Sequence, residues 1–334
     1  MKAYNRDVLK MLPDELESFV RDWAIAKTEY FRVEPFRGTA DRGRDVVGFL
    51  TSELHEGEWD NYQCKQYGTT LPTGGAFHEI GKVLYYASLK EFTPPRRYLF
   101  VAPMGINRNL QKHFFKPTAF KAAFIAGWDD HCRKTIIEGG DIPLVGDLLN
   151  LVSAYDFSCI AHVGVEELLA DPAAKPVLYK YFGADPGPAP GGGPPGPVQQ
   201  AELPYIGQLV DAYSERRGGA FADHAEVASD PAYAPHLARQ RERFYDAEAF
   251  KRFYRDNTDP AVIETFENEI YHGVVEVCDE DHKDAYSRVN KVMVQAGSVM
   301  PSGVLAPHAR VEAKQGVCHH LANEARPRLI WRRP

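Results

Sequence analysis

Cysteine is scarce in this sequence. The 334 residues include only five cysteines, and no two of them form a CxxC pair. An odd number of widely spaced cysteines in a long chain argues against a disulfide framework and against a structural zinc site. We therefore expect a protein of a reducing compartment, the cytoplasm.

Long apolar runs are also missing. No stretch approaches the roughly 18 apolar residues that a membrane-spanning helix needs, and residues 1–19 carry scattered charges without an apolar core. These absences predict a soluble, unexported protein that makes no use of a membrane. The fingerprints GxGxxG, P-loop and GxSxG are absent as well, which leaves nucleotide-driven and serine-hydrolase chemistry without support.

Composition and length place the chain among ordinary globular proteins. Apolar residues make up 44% and charged residues 25% of the sequence, which is average for soluble domains. The length predicts about two domains. The net charge of −7 means that any contact with nucleic acid needs a local basic patch rather than a global field.

A stretch rich in proline and glycine divides the chain. Residues 183–197 read GADPGPAPGGGPPGP, a composition that supports neither a helical hydrogen-bond ladder nor a packed strand. We interpret 183–200 as a linker between a first domain, 1–182, and a second domain, 201–334. A surface loop inside one large domain is the alternative interpretation.

The first domain is predicted to contain a helix, three strands, a helix and a strand, in that order. Apolar residues at helical spacing follow Pro13 and Asp14, a typical helix start. The remaining elements are predicted as strands over 30–36, 45–50 and 59–67, a helix over 77–92 and a strand over 97–102. Helices continue to residue 182, and nearly all of the second domain has helical periodicity.

Three polar residues are predicted to converge at one edge of this sheet. Gln63 and Lys65 lie two apart on the third strand, so their side chains project from the same face. If the second and third strands form a hairpin, Asp45 at the start of one lies opposite the end of the other. Oxygen ligands that hold Mg²⁺ against a phosphate, with a positive group beside them, suit phosphodiester hydrolysis. From these three residues alone, a solvated amphipathic strand is the alternative interpretation.

The element order, together with Asp45 and Gln63-Cys64-Lys65, resembles the PD-(D/E)xK nuclease core in its Mrr-like form, in which Gln replaces an acidic residue. The resemblance spans about residues 10–105. It implies an α/β (α+β) fold with a restriction-endonuclease-like mixed sheet flanked by helices, followed by a mostly α-helical C-terminal domain.

The same resemblance implies Mg²⁺ or Mn²⁺ as the cofactor. Asp45, the side-chain oxygen of Gln63 and the backbone carbonyl of Cys64 would bind the metal, and Lys65 would be the catalytic lysine. Glu17 on the first helix matches an acidic residue that such enzymes often add to the site. Because an uncharged Gln binds Mg²⁺ less strongly than a carboxylate does, Glu17 would compensate for it.

Two stretches of the first domain are basic. Arg37, Arg42 and Arg44 flank the predicted metal site, and we expect them to contact DNA phosphates, with a solvated turn as the alternative. The second stretch has five basic residues interleaved with aromatic ones: Lys112, Lys116, Lys121, Arg133 and Lys134. We interpret this second stretch as an ordinary amphipathic helix surface.

The second domain carries a distinctive set of segments: LPYIGQLVDAY, RERFYDAEAFKRFYRD and KQGVCHHLANEARPRLIW. They resemble the C-terminal domain of ABC-three-component conflict systems such as Lamassu, over about residues 202–332. In that family the domain follows an effector and docks onto an SMC-like or Rad50-like ABC ATPase together with a small third subunit. We predict that Phe244, Tyr245, His319 and His320 dock the partner, with internal packing of the aromatic residues as the alternative. A metal on the adjacent histidines is not expected, because neighbouring helical side chains point roughly 100° apart.

Taken together, the two resemblances imply an effector endonuclease for double-stranded DNA in a bacterial Lamassu-type complex against phages or plasmids. The ATPase partner would restrain it until activation, with a change in self-association. One alternative is a non-catalytic adaptor that bridges DNA and the ATPase. Another is a stand-alone Mrr-like restriction enzyme, which the helical C-terminal signature argues against.

Overall fold

The computed structural model describes residues 4–36, 38 and 41–332. The chain forms two compact units, Met1–Ala184 and Asp185–Pro334. The division lies at the start of the stretch rich in proline and glycine.

The first unit contains a sheet of five strands with helices before, between and after them. The strands are β1 (Arg32–Pro35), β2 (Val46–Phe49), β3 (Trp59–Cys64), β4 (Arg97–Val101) and β5 (Ile160–Val163). The helices are α1 (Asn5–Leu9), α2 (Pro13–Ile25), α3 (Thr73–Ser88), α4 (Arg108–Phe114), α5 (Pro117–Ala126), α6 (Trp128–His131), α7 (Gly146–Ala154), α8 (Val165–Ala170) and α9 (Ala174–Phe182).

The sheet is mixed, and its strands lie in the order β1-β2-β3-β4-β5. The first three strands pair antiparallel, whereas β4 and β5 add in parallel. In the β2–β3 hairpin Val46 pairs with Tyr62, so the register places Asp45 opposite Gln63. This arrangement confirms the predicted mixed sheet flanked by helices.

The sheet separates two apolar clusters. On one face Val47 and Trp59 pack against α3 through Ile80. On the other face Tyr62 packs beneath α2. Because side chains alternate along a strand, Gln63 and Lys65 belong to the face that α3 covers.

The boundaries of the elements differ from the predicted ones in a few places. Strand β3 ends at Cys64 rather than at residue 67, and α3 begins at Thr73 after Pro72, four residues before the predicted start. Strand β5 lies in a segment for which the sequence predicts only helices. It is four residues long and gains its hydrogen bonds from β4, a distant part of the chain, so local periodicity gives it a weak signal.

In the part that the structure describes, the second unit consists of helices and the loops that connect them, without a strand. Its helices are α10 (Leu203–Arg217), α11 (His224–Ser229), α12 (Ala234–Asn257), α13 (Pro260–Asp279), α14 (Ala285–Ser298) and α15 (Val311–Ala322). One apolar cluster joins them, with Phe250, Ile270 and Val292 fully buried at its centre. A largely helical C-terminal region was predicted, and the structure confirms it.

Close backbone packing sets the position of α15 against α12. A Cβ atom added at Gly316 would lie 1.9 Å from the backbone oxygen of Arg243 and 2.6 Å from the Cβ of Ala247. Glycine is therefore the residue that lets the two helices approach this closely.

The stretch rich in proline and glycine lies against the second unit. The guanidinium of Arg310 donates to the carbonyls of Ala189 and Pro190, and that of Arg241 donates to the carbonyls of Pro195, Gly196 and Pro197. From Asp185 onward, the residues predicted as a linker belong to the second unit.

A membrane-spanning helix would need a long apolar segment. Over the residues that the structure describes, every helix is too short or too polar to cross a bilayer.

Candidate active site

Asp45 and the end of β3 form a buried polar centre. The Asp45 carboxylate, 8% exposed, accepts hydrogen bonds from the Gln63 side-chain amide and from the Cys64 backbone N–H, each at 2.8 Å to Oδ2. The antiparallel register of β2 and β3 brings these groups together. Asp45 and Gln63 thus lie opposite each other, as expected for a β2–β3 hairpin, and the Cys64 backbone N–H joins them.

Gln63 also contacts β4. Its Oε1 accepts a hydrogen bond of 3.2 Å from the Tyr98 hydroxyl, so its amide nitrogen, not its oxygen, faces Asp45. A tyrosine hydroxyl can both donate and accept. Rotating the amide by half a turn would therefore keep a bond to Tyr98 and turn the Gln63 oxygen toward Asp45. That orientation is the one a metal ligand needs.

Lys65 follows β3 directly and pairs with a residue that was not predicted. Its Nζ lies 2.6 Å from Oε1 of Glu79 on α3, and both side chains are 14% exposed. The backbone N–H of Lys65 donates to Val101 at the end of β4, which fixes the start of its side chain. The sequence could have indicated Glu79, because it is an acidic residue on the helix whose apolar side covers the sheet.

Negative charge predominates at the centre, and burial raises the pKa of Asp45 to about 7. The charges of Glu17 and Glu79 add to this rise, whereas Lys65 and the Cys64 N–H oppose it. Burial lowers the pKa of Lys65, but the negative charges of Glu79 and Asp45 raise it by more, so that the pKa lies above its ordinary value. Lys65 therefore interacts with Asp45 and Glu79, and the charge of Glu17 on α2 acts on Asp45 in addition.

Cys64 contributes its backbone to the centre. Burial, with the charges of Asp45 and Glu17, raises the pKa of the Cys64 thiol well above its usual value, so the thiol stays protonated and inert. The role of the Cys64 carbonyl as a metal ligand remains a prediction.

The donor set suits a hard divalent cation only in part. Across residues 4–36, 38 and 41–332, no group of three or more His, Cys, Asp or Glu side chains is arranged to hold a metal ion. Asp45 and the rotated Gln63 amide supply two oxygen ligands, and the excess of carboxylate charge favours a cation beside them. These two ligands therefore fit only part of the coordination sphere of such a cation.

The arginines predicted to contact DNA are largely occupied by other groups. Arg37 lies outside the described residues. Arg42 forms an ion pair with Glu91 on the surface. Arg44 is 6% exposed; its guanidinium stacks on Phe36 and on a second aromatic ring and hydrogen bonds to a histidine. For Arg44 a phosphate contact is not available, because its guanidinium is enclosed by aromatic side chains.

Of the four residues predicted to dock a partner, two are buried inside the second unit and two, Tyr245 and His320, are half-buried. Phe244 is 6% exposed and His319 is fully buried, and each packs against Tyr205. Tyr245 donates to Glu202, and His320 hydrogen bonds to the carbonyl of Phe244. The large apolar area of these rings accounts for their inward position.

Burial also keeps the histidine pair uncharged. It lowers the pKa of His319 well below the usual value and, together with Lys251, lowers that of His320 to about 3. Neutral imidazoles that hydrogen bond to Gln240 and to a backbone carbonyl are structural groups.

Comparison with known proteins gives one match. Residues 202–331 match the family model described as C-terminal domain 6 of the ABC-three component (ABC-3C) systems. No curated protein and no solved structure matches the chain. The match covers most of the second unit and supports an association of this chain with the other components of such a system.

Proposed function

We propose that this chain is the effector subunit of an ABC-three-component defence system and that its first unit is a metal-dependent endonuclease for double-stranded DNA. In this proposal an SMC-like ABC ATPase and a small third subunit bind the second unit and restrain the nuclease until it is needed. Mg²⁺ or Mn²⁺ is the cofactor.

The observation that carries the nuclease proposal is the buried contact between Asp45 and Gln63 with the half-buried Lys65 beside them. Asp45 and Gln63 share a hydrogen bond of 2.8 Å, and the Asp45 and Lys65 charges influence each other. The observed order α2-β1-β2-β3-α3-β4 is the order on which the resemblance to PD-(D/E)xK nucleases rests. The three residues follow one another along the chain as that resemblance requires.

Each residue of the centre has a distinct part in the proposed reaction. Asp45, the Gln63 oxygen and the Cys64 carbonyl would hold the metal, and Glu17 would add negative charge. The bound metal would supply Lewis acidity at the scissile phosphate. Lys65 would hold the attacking water by hydrogen bonding and stabilise negative charge on the phosphate oxygens. Glu79 keeps the Lys65 ammonium on the side of the sheet that faces α3.

The match of the second unit supports the assembly in this proposal. A C-terminal domain of an ABC-three-component system belongs in a complex with further subunits. A stand-alone restriction enzyme has no use for such a domain, and we therefore do not favour that alternative.

A non-catalytic adaptor that bridges DNA and the ATPase is a second candidate. Two observations favour it: the Gln63 amide nitrogen faces Asp45, and Lys65 is engaged by Glu79. Under this alternative the polar centre only holds β2, β3 and α3 together. Mg²⁺-independent DNA binding without nicking, even in the complete complex, is its expected behaviour.

Plasmid nicking distinguishes the two candidates. Supercoiled plasmid is incubated with Mg²⁺ and the chain, alone and with its partner subunits and ATP. We expect the wild-type complex to nick the plasmid and Lys65→Ala to abolish nicking without loss of folding.

Lys82→Ala is the matched control for Lys65→Ala. Lys82 lies on α3. Its side chain is 19% exposed and forms an ion pair of 2.6 Å with Asp41, much as Lys65 does with Glu79. Loss of a structural ion pair should therefore affect both variants equally. Equal nicking by the wild type, Lys65→Ala and Lys82→Ala would refute the proposed catalytic centre.

A further inference from the structure

Helix α4 begins beside the loop that leaves the candidate active site. Lys65 and the following loop run from the end of β3 to Leu71, and the loop from β4 to α4 runs alongside. Leu71 donates to Gly105 at 2.9 Å and accepts from Asn107, the N-cap of α4, at 3.0 Å. Strands β3 and β4 are parallel neighbours, so both loops leave the same edge of the sheet.

This part of the chain is strongly basic although the whole chain is acidic. Between Glu91 and Asp129 the sequence has no acidic residue but has six basic ones: Arg96, Arg97, Arg108, Lys112, Lys116 and Lys121. Arg96 and Arg97 bind Asp60, and Lys121 binds a backbone carbonyl. The other three basic side chains are exposed.

Those three residues form what we call the α4 basic face: Arg108, Lys112 and Lys116. Arg108 and Lys112 lie four apart on α4 and so share one side of it, opposite the fully buried Leu110. Lys116 follows just beyond the end of the helix. Within the described residues no ion pair to an acidic side chain involves any of the three.

We propose that the α4 basic face holds the phosphate backbone of duplex DNA beside the candidate active site. The inference rests on the proposed function and replaces Arg42 and Arg44 as the principal DNA contacts. Phosphate binding needs cations that are exposed and not neutralised. The α4 basic face meets both conditions, whereas Arg44 is buried and Arg42 is paired with Glu91.

The chemistry of the face favours DNA over a protein partner. Lysine is depleted in the cores of protein interfaces, which rely on aromatic and apolar anchors. DNA phosphates are instead contacted by Lys and Arg side chains spread along a surface. Residues 92–128 contain no carboxylate, so this segment adds no repulsion of its own toward a polyanion.

The test measures DNA binding by the full-length chain without cleavage. Fluorescence anisotropy of a short labelled duplex is recorded in EDTA over a series of salt concentrations. The test variant carries Arg108→Gln, Lys112→Gln and Lys116→Gln. We expect a loss of affinity of at least about tenfold and a salt slope smaller by about 1 for each cation removed.

A matched triple variant controls for net charge. Lys90→Gln, Lys134→Gln and Lys175→Gln remove three exposed charges of the same unit and should leave affinity within about twofold of the wild type. Unchanged binding by the test variant, an equal loss in the control, or a wild type that binds no duplex would each overturn the inference. So would a test variant that keeps DNA but loses its partner subunits, since the face would then be a protein interface.

The result is separable from the fate of the proposed nuclease. If the test variant loses DNA while the wild-type complex never nicks it, the DNA surface stands and the nuclease proposal falls. If nicking occurs and the test variant binds normally, the nuclease stands and the surface is wrong.

Discussion

Replacing Asp45 by Asn should stabilise the metal-free protein at alkaline pH, even though it removes the central residue of the candidate site. The side-chain oxygen of the introduced asparagine would still accept from Gln63 and from the Cys64 N–H, which both donate to a single oxygen of Asp45. What disappears is a carboxylate that burial makes difficult to ionise. The substitution therefore tests the charge of Asp45 separately from its shape.

The size of the effect follows from the pKa of Asp45. The pKa is about 7 in the folded chain and about 4 in an unfolded one. Because the folded value is the higher one, the contribution of Asp45 to stability is fully present below pH ~4 and is lost as the pH rises through ~7. A difference of about 3 units corresponds to up to about 4 kcal/mol lost by the wild type at pH ~8.

Thermal unfolding in EDTA measures this difference. Asp45→Asn should unfold at nearly the wild-type temperature near pH ~4 and on the order of 10 °C above it near pH ~8. Added Mg²⁺ should raise the unfolding temperature of the wild type and not that of Asp45→Asn, because a ligand stabilises only the form that binds it. An Asp45→Asn protein that is equally or less stable at alkaline pH would refute the reasoning.

Asp60 supplies a control of opposite sign in the same sheet. Burial raises the pKa of Asp60, but hydrogen bonds from Arg96, Arg97 and Tyr30 outweigh it and leave the pKa below its usual value. Its contribution is therefore present at neutral pH and lost on acidification. Asp60→Asn should destabilise the protein at neutral pH by about 1–3 kcal/mol, the usual cost of removing one partner from hydrogen bonds to charged groups, since Arg96 and Arg97 remain partly exposed to solvent.

Two further predictions concern packing and assembly. Gly316→Ala should destabilise the second unit, because the added Cβ would lie 1.9 Å from the backbone oxygen of Arg243. Gly207→Ala on α10, where the added Cβ meets no atom within 4 Å, should instead stabilise the second unit by up to about 1 kcal/mol. Chemical denaturation monitored by circular dichroism compares the stability of the two variants. Activation of the complete complex should change the number of copies of this chain per particle, since cutting a duplex needs two nicks; mass photometry before and after activation that finds the same assembly would contradict this.

The parts of the centre that local pattern defines could be predicted from the sequence. Asp45 and Gln63 come together because β2 and β3 are consecutive strands that pair antiparallel, so the start of one lies opposite the end of the other. Lys65 shares the face of Gln63 because side chains alternate along a strand. These are contacts between neighbouring segments of the chain, which periodicity reports well.

Contacts between distant segments could not be predicted in this way. The pairing of Glu79 with Lys65 depends on how α3 crosses the sheet, and the Tyr98 bond depends on β4 adding in parallel to β3. In the sequence, Arg44 is a basic residue close to the predicted metal site, which favours a DNA contact. The aromatic rings that enclose its guanidinium come from residues 36 and 92, which only the fold brings together. Exposure and pairing of charges are properties of the folded chain, and they favour Arg108 over Arg44.

The central claim is that Asp45, Gln63 and Lys65 form a metal-dependent nuclease centre. The most direct test is nicking of supercoiled plasmid by the complete complex with ATP and Mg²⁺, using the wild type, Asp45→Asn and Lys65→Ala at equal folded concentration. Our account predicts nicking by the wild type that EDTA stops and that neither variant shows. Nicking that persists in both variants, or a complex that binds DNA and never cuts it, would contradict the account.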